Sequence, residues 1–183
     1  MSDAWQQLST RIVYDNNWIR VVEDEVIRPD GSSGIYGVVE LQHPAVSVVA
    51  MTDDDDVLLV EMDRYTVGKT LEVVAGGTDG QAPEVAAARE LLEETGVVAQ
   101  TWQRVGEFNS LNGVCRAWTT VFLATDLTNP PQEMSDHQLG EGISAVLRVP
   151  WPAVMRLIGD GTITDSESQS SLMLAAVALG RVG

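Results

Sequence analysis

Short apolar runs, each followed by turn residues, set the rhythm of the chain up to about residue 75. Ile19–Ile27, Tyr36–Leu41, Ala45–Met51 and Val57–Met62 are rich in β-branched residues and predict strands joined by hairpins. Asp53–Asp56 lies between two of these runs and predicts a solvated hairpin turn. Further short apolar stretches at Leu71–Val74, Ala117–Ala124 and Ala145–Val149 predict more strands. A helical period first takes over at about Pro83–Thr95. A second helix is predicted for Trp151–Ile158, and a third from Thr164, whose spacing to Glu167 fits a capping box. Strands early, helices late and no repeat or long linker predict a mixed sheet with helices packed on it.

Within Pro83–Thr95 the polar positions are as ordered as the apolar ones. At about 100° per residue, Val85, Ala88, Leu91 and Leu92 share one arc and predict the packing face. Glu90, Glu93 and Glu94 share the opposite side. Carboxylates at i, i+3 and i+4 repel one another, so their gathering is favourable only where solvent screens them or a cation sits among them. A solvated helix face accounts for the pentapeptide ELLEE by itself. The glycines just before the helix, Gly76, Gly77 and Gly80, change that reading, because they let backbone turn sharply beside a cation or a phosphate. Hard divalent cations take oxygen ligands and bind where carboxylates meet substrate phosphates.

Composition narrows the partners. The 183 residues carry 27 acidic and 11 basic side chains, a formal charge of −16, which repels nucleic acid and anionic membrane. One cysteine, Cys115, allows no intramolecular disulfide, and neither a signal-like N-terminus nor a membrane-length apolar run is present. A cytoplasmic enzyme is the expectation.

The stretch Leu71–Val97, and within it Arg89-Glu90-Leu91-Leu92-Glu93-Glu94-Thr95-Gly96-Val97, resembles the strand-loop-helix box of the Nudix hydrolases. Looser likeness to the ADP-ribose pyrophosphatase-like members runs from about Tyr14 to Ala175. The resemblance implies an α/β fold: a Nudix α/β/α sandwich with a mixed β-sheet and an N-terminal β extension. Residues 1–43 would be the extension, part of a homodimer interface, and residues 44–183 the hydrolase domain. It further implies Mg²⁺, with Mn²⁺ as a substitute, held by Glu90, Glu93, Glu94, Glu141 and the carbonyl of Ala75.

By the same resemblance Arg89 orients a catalytic glutamate, with Glu93 its partner, and Arg64, Glu72 and Gly77 meet the substrate. That substrate would be a nucleoside diphosphate sugar, ADP-ribose foremost, cleaved to AMP and ribose 5-phosphate. Other nucleotide sugars, dinucleotides or nucleoside triphosphates are the rivals, and a weakly catalytic nucleotide-binding module is the alternative of another class. Two departures bear on these choices. Gln81 stands where the family carries a glutamate, after a loop one residue short, and Leu139 stands where close relatives carry the general base. Glu93, Glu133, Asp136 or Glu141 then has to take the proton, while Trp102, Trp118 and Trp151 are expected to pack in the core and His137 to be a solvated loop residue.

Overall fold

From Gln6 to Gly77 the chain runs through seven strands: β1 (Gln6–Asp15), β2 (Ile19–Ile27), β3 (Ser33–Leu41), β4 (Ala45–Ala50), β5 (Asp56–Arg64), β6 (Gly68–Glu72) and β7 (Val74–Gly77). Helix α1 (Pro83–Thr95) follows, then β8 (Val98–Asn109), β9 (Cys115–Arg116), β10 (Trp118–Thr128), α2 (Asp136–Gly140), β11 (Ile143–Pro150), α3 (Trp151–Gly159) and α4 (Ser166–Ala178). The computed structural model describes residues 4–128 and 136–182, without the side chains of Asp136 and His137. Two compact units emerge, one running to Pro44 and taking in Asn109–Trp118, the other made of Ala45–Phe108 and Thr119 onward.

The first unit is a four-stranded sheet in the order β1-β2-β3-β9, antiparallel from β1 to β3 with β9 parallel to β3. Val22, Val26 and Val38 give it a small buried face. Every residue of β1 is exposed, which is why apolar patterning misses this strand. Strand β8 escapes for a related reason: its pattern, VAQTWQRVGEFN, is half polar and holds no apolar run longer than two residues.

The second unit holds two sheets, β7-β4-β10-β8 and β11-β5-β6. Side chains on successive strand positions point to opposite faces, and here both faces are covered. Val46, Val48 and Ala50 of β4 join Leu58, Val60 and Met62 of β5 in a core shared with Ala86, Ala87 and Leu91 of α1. Val49 and Met51 join Val57 and Leu59 in a second core with Val154 of α3 and Leu172 and Ala175 of α4. Helices therefore lie on both sides of the sheets, and strands buried on both faces read as the continuous apolar runs seen in the sequence. Within this unit the result is a mixed α/β fold, its sheets covered by helices on both sides.

Local details refine several expectations. Residues 52–55 form the anticipated turn, closed by the Thr52 amide bonding the Asp56 carbonyl at 2.9 Å. The segment Leu71–Val74 is split between β6 and β7. Helix α4 starts one residue later than the capping-box spacing suggests: Asp165 is the N-cap, its carboxylate accepting from the Ser168 amide at 2.7 Å. Trp102 packs edge-on against Phe122, and Trp151 is buried under the Arg181 guanidinium, but Trp118 is half exposed and is not a core residue. Among the described residues no helix is long and apolar enough to cross a membrane.

Candidate active site

Helix α1 departs from the face that its apolar residues predict. Of Val85, Ala88, Leu91 and Leu92 only Leu91 is buried; Ala86, Ala87, Glu90, Glu94 and Thr95 are buried with it. Two carboxylates thus point inward, Glu90 at 5% exposure and Glu94 at 2%. Pro83 sets the first turn and Gly96, in the left-handed region at φ 72°, ends the helix, its amide bonding the Leu92 carbonyl. The helix is fixed at both ends, and the position of its acids follows.

Burial sets the electrostatics of these acids. Glu94 is pushed up to about 9, first by loss of solvent and then by the neighbouring charges of Glu90 and Glu141, with Arg64 and the Ala75 amide pulling back only in part. Glu90 is raised too, again by burial first; Arg89 opposes this, and the charges of Glu93 and Glu141 add to it. One Glu94 oxygen, Oε2, is buried with no hydrogen-bond partner. Such a group is costly unless something else meets it.

Gly76 explains how Glu90 fits. A Cβ at that position would lie 2.1 Å from Glu90 Oε1, so the carboxylate occupies space that only glycine leaves. Arg89 reaches over the same loop. Its guanidinium pairs with Glu90 at 2.9 Å and Glu93 at 2.8 Å, and donates to the Gly77 carbonyl at 2.8 Å and to Gln81 Oε1 at 3.1 Å. Burial lowers its proton affinity, but the carboxylates around it outweigh that and raise it. Gln81 therefore keeps the acceptor that Arg89 needs while lacking the charge of a glutamate.

A cleft of about 600 Å³ opens beside Ala75, walled by Arg64, Thr70 and Glu72 on one side and by Thr164–Ser168 on the other. Arg64 and buried Glu72 form a two-point pair, Nε to Oε1 at 3.1 Å and Nη2 to Oε2 at 2.6 Å, and Thr70 adds a bond of 2.5 Å to Glu72. That pairing with Glu72 raises the Arg64 pKa. The wall formed by the start of α4 is invisible to motif reading, because its residues carry only a capping signal. In the first unit a pocket of about 290 Å³ is lined by Trp5, Tyr36 and buried Asp24, whose Oδ2 lies 3.6 Å from Arg116.

Leu139 is 60% exposed and offers no base. Glu133 lies outside the described residues, as do the side chains of Asp136 and His137. Glu141 faces Glu90 and Glu94 closely enough to act on both of their proton affinities. Among the described residues no three Asp, Glu, His or Cys side chains form a ready-made metal cage. The donor set nevertheless suits a hard cation: buried carboxylate oxygens, one without a partner, beside a loop that glycine keeps open. Ions of this kind complete their shell with backbone oxygen, water and substrate phosphate.

A helix of inward-facing carboxylates beside a glycine loop, packed on a mixed sheet, defines a candidate site for a divalent cation and a phosphate-bearing substrate. Residues 41–167 match the NUDIX domain, and residues 5–39 match the nucleoside diphosphate sugar hydrolase N-terminal domain. The chain belongs to the Nudix family, whose members are pyrophosphohydrolases that generally use divalent cations. It is 32% identical over 137 residues to an ADP-ribose pyrophosphatase of Mycobacterium tuberculosis (strain ATCC 25618 / H37Rv), covering 73% of this chain and 66% of that protein. An ADP-ribose pyrophosphatase of Bacillus subtilis (strain 168) is 27% identical over 161 residues, covering 85% and 84%. A GDP-mannose pyrophosphatase of Yersinia pestis (strain Pestoides F) is 29% identical over 112 residues, covering 60% and 55%. A crystal structure described as an ADP compounds hydrolase superposes with a TM-score of 0.83 at 22% identity, covering 99% of this chain and 97% of that one, which establishes the fold.

Proposed function

We propose that this chain hydrolyses the pyrophosphate bond of a nucleoside diphosphate sugar, with ADP-ribose as the substrate and AMP and ribose 5-phosphate as products. The observation that carries the reading is the buried pair Glu90 and Glu94, one oxygen of it without a partner, next to the cleft that Arg64 lines. Mg²⁺, replaceable by Mn²⁺, would be held by Glu90, Glu93, Glu94, Glu141 and the Ala75 carbonyl; such an ion neutralises phosphate oxygens and acidifies a bound water. Arg89 organises the loop and the helix by tying Gly77, Gln81, Glu90 and Glu93 together. Arg64, braced by Glu72, offers its outer N–H groups to a phosphate or ribose in the cleft, with the Gly77 peptide on the approach to it. Glu93 and Glu141 are the carboxylates available to take the proton of the attacking water, since Leu139 cannot.

ADP-ribose leads because the two relatives that carry that name match more of the chain than the GDP-mannose pyrophosphatase does. GDP-mannose is the second reading, favoured by the Yersinia relatives. A cytoplasmic homodimer joined through residues 1–43, with residues 44–183 as the hydrolase domain, completes the proposal. The decisive experiment measures AMP and ribose 5-phosphate release from ADP-ribose with Mg²⁺, beside GDP-mannose and other nucleotide sugars. Wild type should prefer ADP-ribose, and Glu94→Gln should lose on the order of 10³-fold in kcat. Turnover of none of these with either cation would leave a binding module, with Gln81 and Leu139 as the first residues to revert.

A further inference from the structure

Glu141 stands on the turn between α2 and β11, and a loop carboxylate keeps a fixed place beside the acids of α1 only where its backbone is tied down. Among the described residues, two contacts of its neighbours help to hold it. On one side the Gly142 carbonyl accepts from the Asp63 amide of β5 at 2.9 Å. Gly142 sits at φ 81°, and a Cβ there would lie 2.9 Å from the Asp63 carbonyl oxygen, so this approach depends on glycine.

On the other side the contact is a side chain. Gln138 of α2 is 4% exposed, and its Nε2 donates to the backbone carbonyl of Glu94 at 2.5 Å. That carbonyl belongs to the last turn of α1, where the helix itself supplies no donor. The backbone carbonyl of Gln138 in turn accepts from the Glu141 amide at 3.2 Å. One residue thus bonds the main chain of both acids. An amide suits the place because it donates to the carbonyl without adding a charge to the acidic cluster.

We propose that Gln138 is a positioning residue for the metal site: its amide latches the Glu141 loop to the end of α1 and so fixes the spacing between Glu141 and Glu94. This rests on the metal-dependent reading above. A purely structural hydrogen bond would contribute to stability and leave cation affinity alone, whereas a latch sets the affinity, as partners behind metal ligands commonly do by about 10- to 100-fold.

The test titrates Mn²⁺ into the full chain without nucleotide, following the free ion by electron paramagnetic resonance, beside thermal unfolding and kcat at saturating metal. Gln138→Met, which keeps the length and loses the donor, should weaken Mn²⁺ binding about tenfold, more than it lowers kcat at saturating metal. Gln138→Asn, which keeps a shorter amide, should fall between, and it carries the comparison if the Met variant does not fold. Ser171→Ala, which breaks the buried Ser47–Ser171 hydroxyl pair at 2.8 Å on the opposite helix, should lower stability and leave Mn²⁺ binding unchanged. Mn²⁺ affinity within twofold of wild type in the Gln138 variants, an equal loss in Ser171→Ala, or no Mn²⁺ binding by wild type overturns the latch. Wild type that binds Mn²⁺ but cleaves no nucleotide sugar sinks the proposed function and leaves the latch standing.

Discussion

Helices α1 and α4 are both 13 residues long and contact the same strand β4, one from each core, yet they treat buried polar groups in opposite ways. On α4 the buried polar side chains are serines with partners: Ser168 Oγ accepts from the Val73 amide at 3.0 Å, and Ser171 pairs with Ser47. On α1 they include Glu90, pressed against Gly76, and Glu94, with one oxygen unmatched. A satisfied polar group in a core specifies packing; one left unsatisfied is costly unless a ligand supplies the missing partner. The comparison separates a helix that closes the fold from the helix that carries the proposed site.

The contrast breaks most sharply at Gly76. Backbone conformation there permits alanine, and the obstacle to a Cβ is the mobile end of Glu90, so Gly76→Ala should fold and simply displace that carboxylate. We expect kcat to fall on the order of 10²-fold, about 3 kcal/mol of transition-state stabilisation, with a shift of Tm below about 3 °C. Steady-state kinetics beside calorimetry checks this. Unchanged kcat would mean that Glu90 does not need its place against the loop.

A smaller effect with the opposite sign should appear in the metal-free protein. Folded, Glu94 keeps its proton up to about pH 9, whereas an ordinary glutamate loses it at about 4.5. Between those values the folded chain binds more protons than the unfolded one, so stability contributed at low pH is lost as pH rises through this window. Glu94→Gln removes that loss. In chelator at pH 8 it should be more stable than wild type by on the order of 2 kcal/mol, about 4–8 °C in Tm, and its stability should depend less on pH between 6 and 9. Saturating Mg²⁺ should stabilise wild type and not the variant. A Glu94→Gln chain that melts lower in chelator would show that the buried carboxylate is met by a partner within the fold.

How much of this was legible beforehand divides along the same line. The two-faced burial of β4 and β5 was readable because uninterrupted apolar runs are what a doubly covered strand requires. The acids of α1 were readable as a candidate site from their spacing and the glycines before them. Their orientation was not: apolar periodicity assigns carboxylates to water, and sites are where that rule fails. Strand β1 was missed because its order comes from pairing with β2 rather than from burial. Gln138 gave no signal and the cleft wall at Thr164–Ser168 only a capping one, since each acts through contacts distant in sequence. Gln81 was visible as a missing charge, but only the Arg89 hydrogen bond shows what the amide still supplies.

The α4 side of the comparison predicts the smallest effect and a telling asymmetry. Ser171→Ala alone leaves the Ser47 hydroxyl buried, at 0% exposure, without its partner, and should cost about 1–2 kcal/mol. Replacing both serines by alanine removes the two polar groups together, so the double variant should recover most of that loss despite lacking the hydrogen bond. Activity should stay within about twofold throughout, because the pair stabilises packing and touches no carboxylate of the site. Denaturant unfolding of the two single variants and the double variant measures the coupling directly. If the double variant were the least stable of the set, the hydroxyl pair would be a net source of stability, and the polar groups of α4 would owe their burial to more than being matched.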